Sequence, residues 1–192
     1  MHHTKVALSA ALALATAVSA GAVGAQGTRP FSLGVSGGLS VPTGDTGDGL
    51  NAGFNVAGHL GLQSSALPIG LRFDLAYNRW DLESVDASFR SLAGIANVML
   101  NFPRPSGSTV RPYVSGGLGL YNTKVSRDFT GGTFTSDGET DVGLNVGAGL
   151  DFALSGLSTF VEARFHTVFV GDVGNVERSN LNFVPVVFGI RF

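Results

Sequence analysis

His59 and His166 stand within alternating stretches far from the N-terminus, and they are the candidates for base chemistry in this chain. A hydrolase or acyl transferase needs a Ser or another nucleophile beside such a base. No G-x-S-x-G-like elbow occurs around either histidine. His59, Glu162 and His166 have the donor types to share a metal, but their spacing is not diagnostic. Gly47-Asp48-Gly49 and Asp172-Val173-Gly174 read as turns rather than phosphate loops. Cysteine is absent, which excludes disulfides and thiolate metal sites. We therefore expect no catalytic, cofactor or metal site.

What remains is a set of ionisable residues: His59, Arg72, Asp74, Arg111, Asp151, Glu162, Arg164, His166 and Arg191. All fall on the more polar face of segments that alternate with period two. Four Arg against three carboxylates is close to charge balance. Such residues, buried, must neutralise one another, so the expectation is a structural polar network that fills an interior. Charges inside a membrane protein are functional candidates by default, and that reading stays open.

The elements that carry these residues are strands. Period two gives eight segments, about Phe31–Val41, Gly53–Gln63, Ile69–Trp80, Phe89–Phe102, Val110–Tyr121, Asp141–Leu154, Ser158–Phe169 and Leu181–Phe192. Ile69, Leu71, Phe73, Leu75 and Tyr77 oppose Gly70, Arg72, Asp74, Ala76 and Asn78. In the last segment Val184, Val186, Phe188, Ile190 and Phe192 form one wholly apolar face. Each segment is long enough to cross a bilayer as a tilted strand.

Connection lengths alternate. Ser64–Pro68, Pro103–Thr109 and Ser155–Leu157 are short, whereas Pro42–Ala52, Asn122–Thr140 and Val170–Asn180 are long and Asp81–Ser88 is intermediate. An even strand count with short turns at one end is the layout of an outer-membrane barrel, short turns being periplasmic. Aromatics sort by height in the same way. Phe31, Phe102, Phe152 and Phe192 fall at the short-turn rim, and Phe54, Tyr77, Trp80 and Phe169 near the other, as interfacial girdles do. A soluble sandwich or lipocalin-type barrel would also alternate. Against it, the polar faces carry more Gly and Ala than a solvated surface, and suit a narrow packed lumen.

Bulk properties agree. The chain has 192 residues, 28 of them Gly, and only 14% are charged. Mean hydropathy is positive, which is unusual for a soluble domain. A net charge of −2 argues against a nucleic-acid partner. Met1–Lys5 is a basic start, Val6 to about Val18 is apolar, and Val18-Ser19-Ala20 and Val23-Gly24-Ala25 are small-residue cleavage patterns. That is the layout of a secretory signal peptide. We expect residues 1–25 to be the signal, cleaved after Ala25, and residues 26–192 to be one barrel domain.

The strand Arg111-Pro112-Tyr113-Val114-Ser115-Gly116-Gly117-Leu118-Gly119-Leu120-Tyr121 and the terminal strand ending in Phe192 resemble the outer-membrane β-barrel domain family, of the eight-stranded OmpX and OmpA-membrane-domain type. The resemblance covers Phe31 to Phe192. It implies an all-β, eight-stranded antiparallel up-and-down transmembrane barrel in the bacterial outer membrane. It also implies that Val184, Val186, Phe188, Ile190 and Phe192 are read by the barrel-assembly machinery. Family roles range over adhesion, envelope anchoring and solute passage.

The expected function is a structural or surface-interaction role without catalysis. A narrow solute pore and an outer-leaflet lipid-modifying enzyme are the alternatives. The expected partners are outer-membrane lipid and lipopolysaccharide. Solvation and avoidance of aggregation explain the acidic loops that hold Asp45, Asp48, Glu83, Asp86, Asp137, Glu139 and Glu177, and their functional reading is bridging to lipopolysaccharide through divalent cations. An extracellular ligand is left unidentified.

Overall fold

The computed structural model describes residues 31–44, 49–64, 67–82, 87–129, 132–154, 157–171 and 179–192. The expected signal peptide lies outside them. So do Asp45, Asp48, Glu83, Asp86 and Glu177 of the acidic loops, and the Asp172-Val173-Gly174 turn.

The strands are β1 (Phe31–Thr43), β2 (Gly53–Gln63), β3 (Ile69–Asp81), β4 (Ala87–Asn101), β5 (Val110–Phe129), β6 (Gly132–Thr135), β7 (Glu139–Leu154), β8 (Leu157–Phe169) and β9 (Leu181–Arg191). All neighbours pair antiparallel, and β9 returns to pair with β1, which closes the sheet. β6 joins only the end of β5. The protein is thus a closed eight-stranded antiparallel barrel, with β6 as an appendage of one hairpin.

The register fixes its shape. From Leu33 the pairing passes through Leu60, Phe73, Ala96, Leu118, Leu144, Thr167 and Asn182, and returns to β1 at Thr43. The chain has advanced ten residues in one circuit. Eight strands with that stagger tilt by about 40° and enclose a lumen that side chains can fill.

The faces are inverted relative to a soluble protein. Leu75, Leu118, Val146 and Phe188 point outward and are more than half exposed, whereas Arg72, Asp74, Glu162 and Arg164 are at most 4% exposed. A belt of exposed apolar side chains around the whole circumference is costly in water, and lipid removes that cost. One short turn is closed by local bonding. At Pro105 to Ser108 the Ser108 N–H donates to the Pro105 carbonyl at 3.0 Å, and Gly107 takes φ +76° at the third position. That is a type II turn, where glycine avoids the left-handed penalty.

Two expectations need correction. The Asn122–Thr140 connection is mostly strand, because β5 runs on to Phe129 and β7 begins at Glu139. β4 continues alongside, pairing Phe89 with Val125 and Ala87 with Arg127. Apart from Val125 and Phe134, the side chains of this hairpin beyond Tyr121 are mostly polar, so the alternation that marks a strand fades. Trp80 is not a rim anchor. It lies inside, fully buried, and its indole N–H donates to the Ser40 carbonyl at 3.1 Å. By contrast Phe54 and Phe169 at the upper rim, and Phe31, Phe102 and Phe192 at the lower, are substantially exposed.

Candidate functional site

The inward faces divide the lumen into three tiers. Nearest the long-loop end is an aromatic and aliphatic tier of Trp80, Tyr121, Phe183, Val168 and Leu181, all buried. Trp80 meets Phe183 edge-on at 5.0 Å, and His166 stacks on the same phenyl ring at 4.7 Å. One His166 nitrogen, Nδ1, lies 2.8 Å from the Tyr121 hydroxyl. His166 is therefore held apart from His59 and Glu162, and among the described residues no cluster of three His, Asp or Glu offers a metal site.

The middle tier is a closed ring of alternating charge. Arg72 grips Glu162 with two N–H bonds, from Nη1 at 2.7 Å and from Nη2 at 2.8 Å. Its Nε reaches Asp74 at 3.0 Å. Arg164 completes the ring, with Nη1 on Asp74 and Nε on Glu162, both at 2.7 Å. Asn97 adds an N–H to Asp74 at 2.9 Å. β3 thus reaches across the lumen to β8, and two cations balance two anions in a space shut off from water. Charge-assisted, partly bidentate bonds are the kind that offset the desolvation of such groups.

Small residues make room for this ring. Gly147 lies opposite Arg164, and Gly149 opposite both Tyr113 and Glu162. A Cβ on Gly147 would overlap the Arg164 side chain, and one on Gly149 the Tyr113 ring.

The lowest tier, at the short-turn end, holds Arg111, Asp151 and Arg191. Asp151 accepts from Arg191 at 2.6 Å and from Arg111 at 3.4 Å. Asp151 is buried, but its partners are 16% and 35% exposed. Of the residues singled out by sequence, His59, Arg72, Asp74, Glu162 and Arg164 thus come together, while Arg111, Asp151 and Arg191 form a separate group.

One neighbour lies far from both histidines in sequence, in Gly34-Val35-Ser36-Gly37-Gly38, a literal G-x-S-x-G string. Ser36 Oγ lies 2.8 Å from His59 Nε2, and His59 Nδ1 lies 2.7 Å from Asp74 Oδ1. Serine, histidine and aspartate stand in the order of a hydrolytic triad. Ser36 sits mid-strand with β2 on one side and β9 on the other, so the neighbouring backbone N–H groups are engaged in ladder bonds and form no oxyanion hole. Asp74 also serves two arginines. The arrangement orients the His59 imidazole as part of the hydrogen bonding of the charged ring. The signals that could have found Ser36 are its place in that string and its parity with His59 on adjacent strands, although the string lies mid-strand here and not at a strand-to-helix elbow.

Comparison with known proteins accords with this geometry. The profile of the outer membrane protein beta-barrel domain matches residues 8–189. The chain belongs to that family. Neisserial surface protein A (NspA) is similar in structure, with TM-score 0.60 and 22% identity over 86% of this chain and 98% of that one. A major outer membrane protein from Thermus thermophilus is similar with TM-score 0.56 and 15% identity, over 85% of this chain and all of that one, 100%. At such identities the likeness is one of fold. A comparison with curated proteins finds no match.

For this member of the family, the ring sets two expected outcomes. Arg72→Met and Glu162→Met each leave a charge buried without its counterpart, and each lowers stability by about 3–5 kcal/mol. The double variant leaves the matched Arg164–Asp74 pair, so it costs clearly less than the sum of the two. Urea unfolding in lipid vesicles measures this, and strict additivity would show that the ring is not a coupled unit. Ser36 does not react with a fluorophosphonate probe in folded protein. Stoichiometric labelling at Ser36, lost in His59→Gln, would make it a nucleophile.

Proposed function

We propose that this chain is an exported, integral outer-membrane barrel with an occluded lumen, whose role is structural or surface-interacting rather than catalytic. The observation that carries this reading is the charge-neutral ring that spans the lumen beneath the aromatic tier. An ion crossing the barrel would have to break paired buried charges and displace close-packed rings. Residues 1–25 serve as the cleaved signal in this reading, and the short turns face the periplasm. Outer-membrane lipid contacts the apolar belt. Lipopolysaccharide, bridged by divalent cations, meets the acidic loops.

A narrow solute pore is the second reading. It is favoured by a vestibule of about 610 Å³ at the long-loop end, lined in part by Phe89, Lys124, Glu139 and Leu181. A smaller cavity approaches the ring from the opposite end.

The assembly machinery is the proposed partner during biogenesis, through Val184, Val186, Phe188, Ile190 and Phe192. These residues alternate outward on β9, and Phe192 is still held to Leu33 by backbone bonds in both directions, at 2.8 and 3.3 Å.

Purified protein in planar bilayers gives no stable conductance. Reproducible ion-selective channels that change in Glu162→Gln would replace the occluded reading with the pore. For assembly, Phe192→Asp lowers the amount of heat-modifiable barrel in outer-membrane fractions, read as the unboiled species in detergent gels. Unchanged levels would remove the terminal strand as the recognised element.

A further inference from the structure

The cavity at the short-turn end of the lumen has a chemical character that occlusion does not require. It encloses about 40 Å³, and its polar wall consists of Ser32, Gln63, Arg72, Asn101, Arg111 and Arg191. Three guanidiniums face it and no carboxylate lines it. Arg72 is fully engaged by the ring above. Arg111 and Arg191 are not, because they share the single carboxylate of Asp151 and each uses only one nitrogen on it. Arg111 Nε and Arg191 Nη2 are buried and have no acceptor. The Arg111–Asp151–Arg191 group therefore carries one positive charge in excess, with two orphaned N–H-bearing nitrogens.

These donors are pre-organised. The Arg191 guanidinium lies over Phe160 at 4.5 Å and over Tyr113 at 5.6 Å, an arrangement that holds its plane without consuming its N–H groups. Asn101 donates to Gln63 at 2.9 Å, and Gln63 in turn donates to the Ile69 carbonyl at 3.1 Å, so the amide wall is fixed as well. Buried donors without acceptors are costly. A fixed pair of guanidiniums is the usual complement of a tetrahedral oxyanion. The volume is a few times that needed for one water, roughly 10–15 Å³, which suits a phosphate group and excludes a nucleotide.

We propose that this cavity is a phosphate-binding site, with Arg111 and Arg191 as its principal donors, open toward the short-turn face. The phosphate is either free inorganic phosphate or the phosphodiester of a phospholipid headgroup from the adjoining leaflet. The site is separate from the occlusion of the lumen and stands whether or not the barrel conducts.

The test is a titration of full-length mature protein in non-ionic detergent micelles, followed by the side-chain Nε–H resonances of arginine. Inorganic phosphate is the probe, and sodium chloride at matched ionic strength is the control. Phosphate shifts the Arg111 resonance saturably and chloride does not. Arg191→Gln raises the apparent Kd about tenfold, the effect of losing one hydrogen bond to a charged group. Arg111→Lys retains part of the affinity, whereas Arg111→Gln loses it when binding is read through Arg191. Arg111 is one-third exposed, so its variants retain the fold even if Arg191→Gln does not. Repeating the titration in nanodiscs of phosphatidylglycerol separates the sources. Loss of free-phosphate binding there assigns the site to the lipid headgroup, and unchanged binding assigns it to the free anion. No saturable shift in either medium, or equal affinity in Arg111→Gln, would overturn the proposal.

Discussion

Asp74 accepts hydrogen bonds from four side chains on four strands: His59 on β2, Arg72 on its own β3, Asn97 on β4 and Arg164 on β8. The backbone ladder ties each strand only to its two neighbours. Asp74 and Glu162 tie opposite walls together through arginine. In a barrel whose outer face meets lipid, all polar side chains must crowd into one narrow interior, and an unpaired charge there has no water to turn to. The ring answers that constraint by making every charge serve two partners. Arginine suits the task because its fork presents several N–H groups in a fixed plane. Lysine at position 72 could not bind Glu162 with two nitrogens and Asp74 with a third.

Packing follows from this crossing. Long side chains that span the lumen need short ones beside them, and β7 supplies Gly143, Gly147 and Gly149 on its inward face. Arg164 lies across Gly147 and Tyr113 across Gly149. The same rule holds at Gly189, which gives way to the Phe160 ring. These glycines are placed by contact rather than by backbone need, since none of them has a positive φ. The ten-residue stagger decides which short residue meets which long one.

Much of this is legible in the alternation of residues. Parity alone puts Arg72, Asp74, Glu162 and Arg164 inside and Val186, Phe188 and Phe192 outside, because successive strand residues face opposite ways. The count of eight barrel strands and the ends with short turns are readable from the same pattern. Neighbourhood across the lumen is not. Asp74 lies six residues past Pro68 and Asp151 four before Ser155, a difference too small to separate them in sequence, yet the register puts Asp151 in a separate group with Arg111 and Arg191. Ser36 is marked by the string Gly34-Val35-Ser36-Gly37-Gly38, but its nearness to His59 is a diagonal between strands that only the register shows. Tryptophan near a strand end, as at Trp80, fits a girdle as well as a plug, and only its parity separates the two. The upper half of the β5–β7 hairpin is hidden from a search for alternation because strands outside the bilayer need no apolar face.

The difference between the two charged tiers has a physical reason. In the middle tier every ionised group is at most 4% exposed, so any imbalance would be felt at low dielectric, where a lone charge is destabilising by several kcal/mol. Balance there is compulsory. At the short-turn end Arg111 and Arg191 reach solvent, and screening by water makes an excess charge tolerable. Composition follows exposure: neutral where the lumen is dry, cationic where it opens. The aromatic tier at the other end completes the gradient, since Trp80, Phe183 and Val168 fill the space between ring and vestibule without bringing a charge that would need a partner. A side chain that enters the middle tier must therefore bring its counter-charge with it, whereas the short-turn end can accept that counter-charge from outside the chain.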